Sequence, residues 1–213
     1  MPPDPVWLYH ITHIDNLPGI LQQGCLHCHR HLTQLQRHPV NIAYQSIQDR
    51  RASTPVPCGP CGVLHDYVPF YFAPRSPMLY ALHTGQVAGY TGGQTPIVHL
   101  VSSLARIHET GHSFVFTDGH ATMALSRFFT GLDDLAEIDW PLMQQEYWND
   151  TPQYPDRKRR RQAEFLVYNQ VSWAAILGIG VIDNRMQARV QSILSAHGIA
   201  TAVGVRRNWY YTS

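Results

Sequence analysis

Residues 157–168 place five consecutive cations directly before an apolar run. Glu164 opens that run and is followed by Phe165, Leu166 and Val167, a pattern typical of a buried β-strand. A carboxylate at the first position of such a strand is held rigidly and is partly shielded by the core. Two interpretations stay open from these residues alone. The segment is either a solvated basic turn with Glu164 as counter-ion, or a catalytic acid beside a surface that attracts polyanions.

The length predicts one folded domain over residues 1–213, or at most two small ones. Of the 213 residues, 44% are hydrophobic and 15% are charged, so a sizeable core can form. The formal net charge is +1, so any binding of nucleic acid depends on local basic patches. No apolar run approaches the roughly 20 residues needed to span a bilayer, and the N-terminus lacks the pattern of a signal peptide. We therefore expect a cytoplasmic protein without a membrane partner.

Four cysteines form two Cys-x-x-Cys pairs, Cys25/Cys28 and Cys58/Cys61. Such pairs are typical of zinc ribbons, but the 29 residues between them exceed the usual spacing of about 15–20. We expect loop cysteines and no bound metal. A non-catalytic, zinc-ribbon-like nucleic-acid-binding module stays open as an alternative.

The order of the apolar runs predicts a mixed α/β (α+β) fold with mainly antiparallel sheets. Pro69 pushes its predicted strand toward an edge or a bulge, because proline cannot donate to a ladder. Ser76 and Pro77 have the residue types of an N-cap and a first helical position. The runs behind this prediction are the strands 7–11, 66–73, 97–101 and 114–117 and the helices 140–148 and 183–197.

Residues 25–60 are polar and weakly periodic, and strongly patterned segments flank them. A span of this length without clear elements is either disordered or a functional loop over a site, and the flanks favour the second. We expect a loop or helical insertion over a site. Its arginines suit a pyrophosphate, which guanidinium groups bind in bidentate fashion.

Four segments, in chain order, resemble DarT, a family of DNA ADP-ribosyltransferase toxins from bacterial toxin–antitoxin pairs. They are 8–21 (LYHITHIDNLPGIL), 67–80 (YVPFYFAPRSPMLY), 96–100 (PIVHL) and 162–167 (QAEFLV). Together they span nearly the whole chain, and the block 67–80 is long and distinctive. The cysteine pairs and the histidine-rich residues 27–38 are not part of the resemblance.

The resemblance implies an ADP-ribosyltransferase fold in which two β-sheets flank an NAD+ cleft. It also implies sequence-specific transfer of ADP-ribose from NAD+ onto thymine bases of single-stranded DNA, which blocks replication, and a macrodomain (DarG-like) antitoxin that reverses it. By position, Glu164 matches the catalytic glutamate and Arg51 an arginine over the cofactor. The segments implied to line the NAD+ site contribute His10, His13, Asn16, Tyr71, Met78 and Leu79.

Single-stranded DNA is bound by a cationic track together with aromatic faces on which bases stack. The predicted track is Arg157, Lys158, Arg159, Arg160 and Arg161. The predicted stacking residues are Tyr147, Trp148 and Tyr154, with core packing as the alternative for Trp148, and His120 joins the DNA-binding set. An ADP-ribosyltransferase that acts on RNA or protein is the alternative function.

Overall fold

The computed structural model describes residues 1–212, so Ser213, the last residue of the predicted domain, lies outside the described residues. Over residues 1–212 the chain forms ten strands. They are β1 (Trp7–His13), β2 (Cys25–His27), β3 (Tyr67–Tyr71), β4 (Ile97–Ser103), β5 (Phe114–Thr117), β6 (Phe128–Phe129), β7 (Glu164–Tyr168), β8 (Gln170–Ser172), β9 (Gly178–Val181) and β10 (Val203–Val205).

The helices of the same residues lie mostly between the strands. They are α1 (Leu17–Gln23), α2 (His29–Gln34), α3 (Gln45–Ser53), α4 (Pro77–His83), α5 (Leu104–Glu109), α6 (Trp140–Met143), α7 (Arg157–Arg160) and α8 (Asn184–Ala196). Short 3-10 turns add Ile14–Asn16, Leu64–Asp66, Leu132–Glu137, Trp173–Ala175 and Arg207–Trp209. None of the helices within 1–212 has the length and apolar character required to cross a membrane.

In the described part of the chain, eight strands form one sheet in the order β10-β9-β4-β1-β3-β7-β5-β6, and β2 pairs with β8 beside it. Neighbouring strands run antiparallel except for β9 and β10. The large sheet is split in the middle, because β1 and β3 pair only at Tyr9↔Tyr71, whereas β3 pairs with β7 from Tyr67 to Tyr71. The predicted mixed α/β fold is confirmed, and the two expected sheets are the halves of this split sheet.

Pro69 lies at the split between the two halves. Its ring has no N–H to donate, and its carbonyl oxygen accepts a hydrogen bond from His10 Nδ1 at 2.8 Å rather than from the main chain of β1. The His10 side chain therefore bridges a place where a regular ladder would have a backbone bond. Pro69 marks a split inside the sheet, and not its outer edge.

The predicted N-cap at Ser76 is confirmed, whereas one predicted helix differs in length. Ser76 Oγ accepts from the Leu79 N–H at 3.1 Å at the start of α4, and Asp183 Oδ1 accepts from the Met186 N–H at 2.8 Å at the start of α8. The predicted helix 140–148 is wrong in extent, because α6 ends at Met143.

The core joins both halves of the sheet to the helices. The largest hydrophobic cluster contains Leu8 of β1, Phe165 of β7 and Val190 of α8. A second cluster surrounds α4 and contains Leu79 and Tyr210. Leu8 of β1 and Phe70 of β3 both belong to the first cluster, so the two strands beside the split are anchored in one core.

His99 of β4 is buried, and we therefore expect the protein to lose stability in acid. Its Nε2 lies 3.0 Å from the Pro74 carbonyl oxygen and its Nδ1 lies 3.3 Å from the Tyr210 hydroxyl, and burial lowers the pKa of His99 to about 4. In the unfolded chain the pKa is about 6.5, so the unfolded state binds more protons between these values. The stabilisation is complete above about pH 6.5 and is lost as the pH falls toward 4, by up to about 3 kcal/mol.

Denaturant unfolding of wild type and His99→Gln at pH 7 and pH 4.5 measures this effect. Other buried histidines contribute to the acid loss of both proteins, so the difference between the two isolates His99. We expect the variant to lose less stability on acidification than wild type. An equal loss in both would contradict the assignment.

Candidate active site

A cleft of about 1370 Å³ opens along the split between β1 and β3. Its floor includes His10, Tyr71 and Glu164, and its other wall includes α3 and residues 37–44. Glu164 of β7 therefore lies at the bottom of a cleft to which β1, α3 and β3 also contribute.

Glu164 begins β7 opposite Tyr71, and both of its carboxylate oxygens accept hydrogen bonds. Oε2 accepts from Arg51 Nη1 at 2.7 Å, and Oε1 accepts from the Ala121 backbone N–H at 3.1 Å. The Glu164 N–H donates to Thr117 Oγ1 at 3.1 Å. The carboxylate is buried and has one fixed orientation toward the cleft.

Arg51 lies on α3 and is only 9% exposed, whereas the adjacent Arg50 is exposed. Its Nη1 binds Glu164, but its Nη2 is buried and finds no acceptor within residues 1–212. A buried donor without a partner costs about 1–3 kcal/mol. Arg51 therefore directs an unused N–H donor into a site that already contains a fixed carboxylate.

His120 is a neutral hydrogen-bonding group beside Glu164. Its Nδ1 accepts from the Thr122 N–H at 3.2 Å, lies 3.0 Å from Thr122 Oγ1, and is 4.0 Å from Glu164 Oε1. Burial lowers the pKa of His120, and the charge of Glu164 offsets this shift only in part. The contact between His120 and Glu164 is therefore not an ion pair. Because Nδ1 accepts a hydrogen bond from the Thr122 N–H, the hydrogen-bond network assigns the ring proton of His120 to Nε2.

Tyr71 and His10 are the other polar groups on the floor, and both are uncharged. The Tyr71 hydroxyl points to Met78 Sδ at 3.8 Å, and burial, with a contribution from Glu164, raises the pKa of Tyr71. Burial lowers the pKa of His10, whose Nδ1 donates to Pro69 and leaves Nε2 as an acceptor. The floor thus combines one buried ion pair with neutral polar groups.

Asn16 anchors residues 39–44 over the cleft. Its Oδ1 accepts from the Val40 N–H at 2.8 Å, and its Nδ2 donates to the Val40 carbonyl and to Thr12 Oγ1, both at 3.1 Å.

All but two of the residues predicted to contact the cofactor line the cleft. His13 caps the turn Ile14–Asn16 by accepting from the Asp15 N–H at 3.2 Å, and Leu79 is fully buried in the core.

The cations of 157–161 mostly bind other parts of the protein. Arg159 pairs with Asp118 at 3.0 Å and with Asp156 at 2.7 Å, while the buried Arg161 donates to main-chain carbonyls. Lys158 is exposed and lines the cleft. The other contacts are Arg157 with the Tyr147 carbonyl at 2.6 Å and Arg160 with Asp139 at 2.7 Å. Local acids and carbonyls therefore engage the arginines of the predicted track, whereas Lys158 is exposed at the cleft. Binding of DNA by residues 157–161 stays a prediction.

The three predicted stacking aromatics differ in exposure. Tyr147 and Tyr154 are 78% and 57% exposed, so their rings are accessible to a ligand. Trp148 is buried and donates from Nε1 to the Tyr211 hydroxyl at 3.2 Å, although part of it reaches the cleft. The core alternative therefore describes most of the Trp148 side chain.

The cysteine pairs do not converge. Cys25 and Cys28 are buried, Cys58 is partly buried and Cys61 is exposed, and all four thiols are free. In the part of the chain that the structure describes, no three His, Cys, Asp or Glu side chains are arranged to hold a metal ion. A zinc ribbon requires four such ligands around one point, so this arrangement does not support it.

Sequence reasoning missed the groups that orient Glu164 and His120. Neither the Ala121 N–H, which binds Glu164, nor Thr122, which binds His120, was predicted. Both groups lie in the segment after β5, and a backbone donor carries no residue-type signal. Only the position of His120 in that turn pointed to this place.

A buried, oriented carboxylate with an adjacent guanidinium suits one kind of chemistry. Cleavage of a bond at the anomeric carbon of a sugar builds positive charge there, and a fixed carboxylate stabilises that charge. The neutral groups around it offer hydrogen bonds without adding a competing charge. The site is therefore suited to transfer of a glycosyl group.

Comparison with solved structures shows the class of protein to which this fold belongs. The chain superposes on "Thermus sp. 2.9 DarT in complex with ADP-ribosylated ssDNA" with a TM-score of 0.90 at 47% identity, covering 98% of each chain. It superposes on the same Thermus protein in complex with NAD+ with a TM-score of 0.87 at 44% identity, covering 99% of this chain and 100% of that one. The fold is that of an ADP-ribosyltransferase.

The sequence comparisons narrow that class to one family. The family described as "ssDNA thymidine ADP-ribosyltransferase, DarT" matches residues 9–211. A "DNA ADP-ribosyl transferase" of Thermus sp. (strain 2.9) is 49% identical over 211 residues, which is 98% of each chain. The chain belongs to the DarT family of single-stranded DNA thymidine ADP-ribosyltransferases, which confirms the resemblance found in the sequence.

A more distant relative carries a second activity in the same chain. It is the "DNA ADP-ribosyl transferase-DNA ADP-ribosyl glycohydrolase fusion protein" of Thermosipho africanus (strain H17ap60334). It is 27% identical over 197 residues, which cover 90% of this chain and 46% of that protein. In that relative, a transferase and a glycohydrolase are therefore joined.

Proposed function

We propose that this protein transfers ADP-ribose from NAD+ to a thymine base of single-stranded DNA. The observation that carries the proposal is the buried Glu164–Arg51 pair at 2.7 Å on the floor of the cleft. The Thermus structures with NAD+ and with ADP-ribosylated single-stranded DNA support the same two substrates for this close relative.

In this reaction the bond between nicotinamide and the ribose C1′ breaks, and its electron pair leaves with nicotinamide. Glu164 stabilises the positive charge that develops on the ribose. A ring nitrogen of thymine then forms the new bond to C1′ and releases its proton to solvent. Arg51 Nη2, the donor without a partner, binds the thymine or a phosphate oxygen and orients it.

The other cleft residues hold the co-substrate. His10, Tyr71 and Met78 bind the nicotinamide half, since they surround the floor next to Glu164. Asn16 acts through Val40 by holding residues 39–44 in place. The insertion 25–60, which contributes α2 and α3, covers the NAD+ site within a single domain.

The DNA strand enters over Lys158 and the exposed rings of Tyr147 and Tyr154. Lys158→Gln is expected to weaken binding of a thymine-containing oligonucleotide and to reduce the slope of log K against log salt by about 0.7, because one phosphate contact is lost. Fluorescence anisotropy over a salt series measures both values. Arg185→Gln, an exposed arginine on α8 outside the cleft, is the matched control. An unchanged slope in Lys158→Gln would exclude this path.

Modified thymine blocks a DNA template, so we propose that the protein is a replication-blocking toxin of the cytoplasm. A macrodomain (DarG-like) antitoxin that removes the modification is the proposed partner. The glycohydrolase fused to the transferase of Thermosipho africanus supports this pairing.

Intact mass measurement tests the proposed function. The protein is mixed with NAD+ and with single-stranded and duplex oligonucleotides of matched sequence. We expect one ADP-ribose added to a thymine-containing single strand and none to the duplex or to a strand without thymine. Modification of RNA or protein instead of DNA would identify a different acceptor for ADP-ribose. The absence of NAD+ consumption would reject the proposed enzymatic activity.

A further inference from the structure

The part of the cleft between α2 and the start of β3 is not used by the mechanism above. It is lined by aromatic and polar side chains, among them His27, His29, Gln48, His65 and Tyr67. The whole cleft, at about 1370 Å³, exceeds the roughly 300–1,000 Å³ of pockets that hold one small molecule. This region therefore has room for part of a second ligand.

His29 and His65 form a stacked pair in this region. Their ring centroids are 4.1 Å apart and their planes differ by 24°. His65 is half-buried and its Nε2 lies 3.0 Å from Gln48 Oε1, which fixes the plane of its ring. His29 is exposed, so the ring face that does not lie on His65 is accessible from the cleft.

Both imidazoles are neutral at physiological pH. Partial burial and the charge of Arg51 lower the pKa of His29, and burial together with the charge of Arg51 lowers the pKa of His65 to about 4. The pair therefore presents a flat, uncharged π face. Such a face suits stacking by another ring better than binding of an anion.

Positive charge lies close to this face. The unused Nη2 of Arg51 is a donor for an anionic oxygen, and the charge of Arg51 acts on both histidines. Arg30 is held near His65 by an ion pair with Asp66 at 2.8 Å. A ring to stack on His29 and a phosphate to bind Arg51 are both parts of a nucleotide.

We propose that the His29–His65 pair is a stacking subsite for a nucleobase of one of the two substrates. The subsite rests on the proposed function, because it takes a ring that is covalently joined to a reacting group. Two sources supply such a ring: a nucleotide adjacent to the target thymidine, or the adenine of NAD+. A base next to the thymidine would make the subsite a determinant of sequence preference.

Steady-state kinetics of His29→Ala and His29→Phe test the subsite. His29→Ala removes the outer ring of the stack, and we expect it to raise KM for one substrate by about tenfold while kcat changes by less than twofold. His29→Phe keeps a flat ring and is expected to retain a KM close to that of wild type. His108→Ala, an exposed histidine of α5 outside the cleft, is the matched control.

The two sources are distinguished by the substrate that responds. If DNA supplies the ring, KM for the oligonucleotide rises, and an abasic site beside the target thymidine has the same effect on wild type but none on His29→Ala. If NAD+ supplies it, KM for NAD+ rises and the abasic site affects both proteins equally. The subsite is rejected if neither KM changes by more than twofold, or if His29→Phe is as impaired as His29→Ala.

Failure of this inference is separate from failure of the proposed function. A wild-type protein that modifies DNA, with kinetics indifferent to His29, rejects the subsite and leaves the transferase intact. A wild-type protein that modifies no oligonucleotide rejects the transferase. In that case, equilibrium binding of NAD+ and of the oligonucleotide to wild type and His29→Ala still measures stacking directly, and equal affinities reject the subsite.

Discussion

Glu164→Gln is expected to lower the rate of ADP-ribose transfer by about 10²–10³-fold. The substitution keeps the size of the side chain and an oxygen that accepts from Ala121 or Arg51, but it removes the negative charge. Glu164 is already buried and oriented by donors at 2.7 and 3.1 Å, so in the proposed mechanism its charge would stabilise the transition state without reorganisation. Initial rates from oligonucleotide masses at saturating NAD+ measure the loss.

Two controls separate chemistry from folding in this experiment. Glu146→Gln removes an exposed carboxylate that pairs with Arg75 at 2.7 Å, and its rate is expected to stay within twofold of wild type. The affinity of Glu164→Gln for NAD+, measured by calorimetry, should change much less than its rate. A variant that transfers ADP-ribose at near wild-type rates would remove Glu164 from the mechanism.

The strand that begins at Glu164 was predictable because its signal is local. Three apolar residues follow Glu164 in succession, a pattern typical of a buried strand, and the structure confirms β7 over Glu164–Tyr168. The cap of α4 was predictable for the same reason, since Ser76 acts on a residue three positions away. Local patterns of this kind define most of the sheet.

The partners of the local elements were not predictable in the same way. Glu164 and Arg51 are 113 residues apart, and the five cations next to Glu164 are nearer in sequence. Those arginines instead bind acids from separate segments, such as Asp118 and Asp139. Pairing of this kind depends on the fold, so composition and spacing alone could not predict which cations pair with acids of this chain.

The end of α6 also involves a contact with a distant part of the chain. Arg161 Nη1 donates to the Met143 carbonyl at 2.5 Å and so satisfies an acceptor at the end of the helix. The donor comes from 18 residues further along the chain, where a local reading of residues 140–148 cannot find it.

Met78 and Leu79 were both predicted to contact the cofactor, but only Met78 lines the cleft. The reason is geometric, because the side chains of adjacent helical residues point about 100° apart.

The second large effect is expected at Arg51, where charge and geometry can be separated. Arg51→Met leaves the buried carboxylate of Glu164 without its counter-ion, and this should destabilise the fold by about 3–5 kcal/mol. Arg51→Lys keeps a positive charge next to Glu164 and should cost much less stability. Denaturant unfolding of both variants measures the difference.

Arg51→Lys is nevertheless expected to lose activity by about 10²-fold or more, because one ammonium cannot replace two nitrogens with different tasks. Nη1 binds Glu164, while the buried Nη2 has no acceptor in the described residues and is free to bind the acceptor base or a phosphate. Arg185→Lys changes an exposed arginine of α8 that lies outside the cleft, and it should leave both rate and stability near wild type. If Arg51→Lys were stable and fully active, the guanidinium would serve only to neutralise Glu164, and its second nitrogen would have no part in binding substrate.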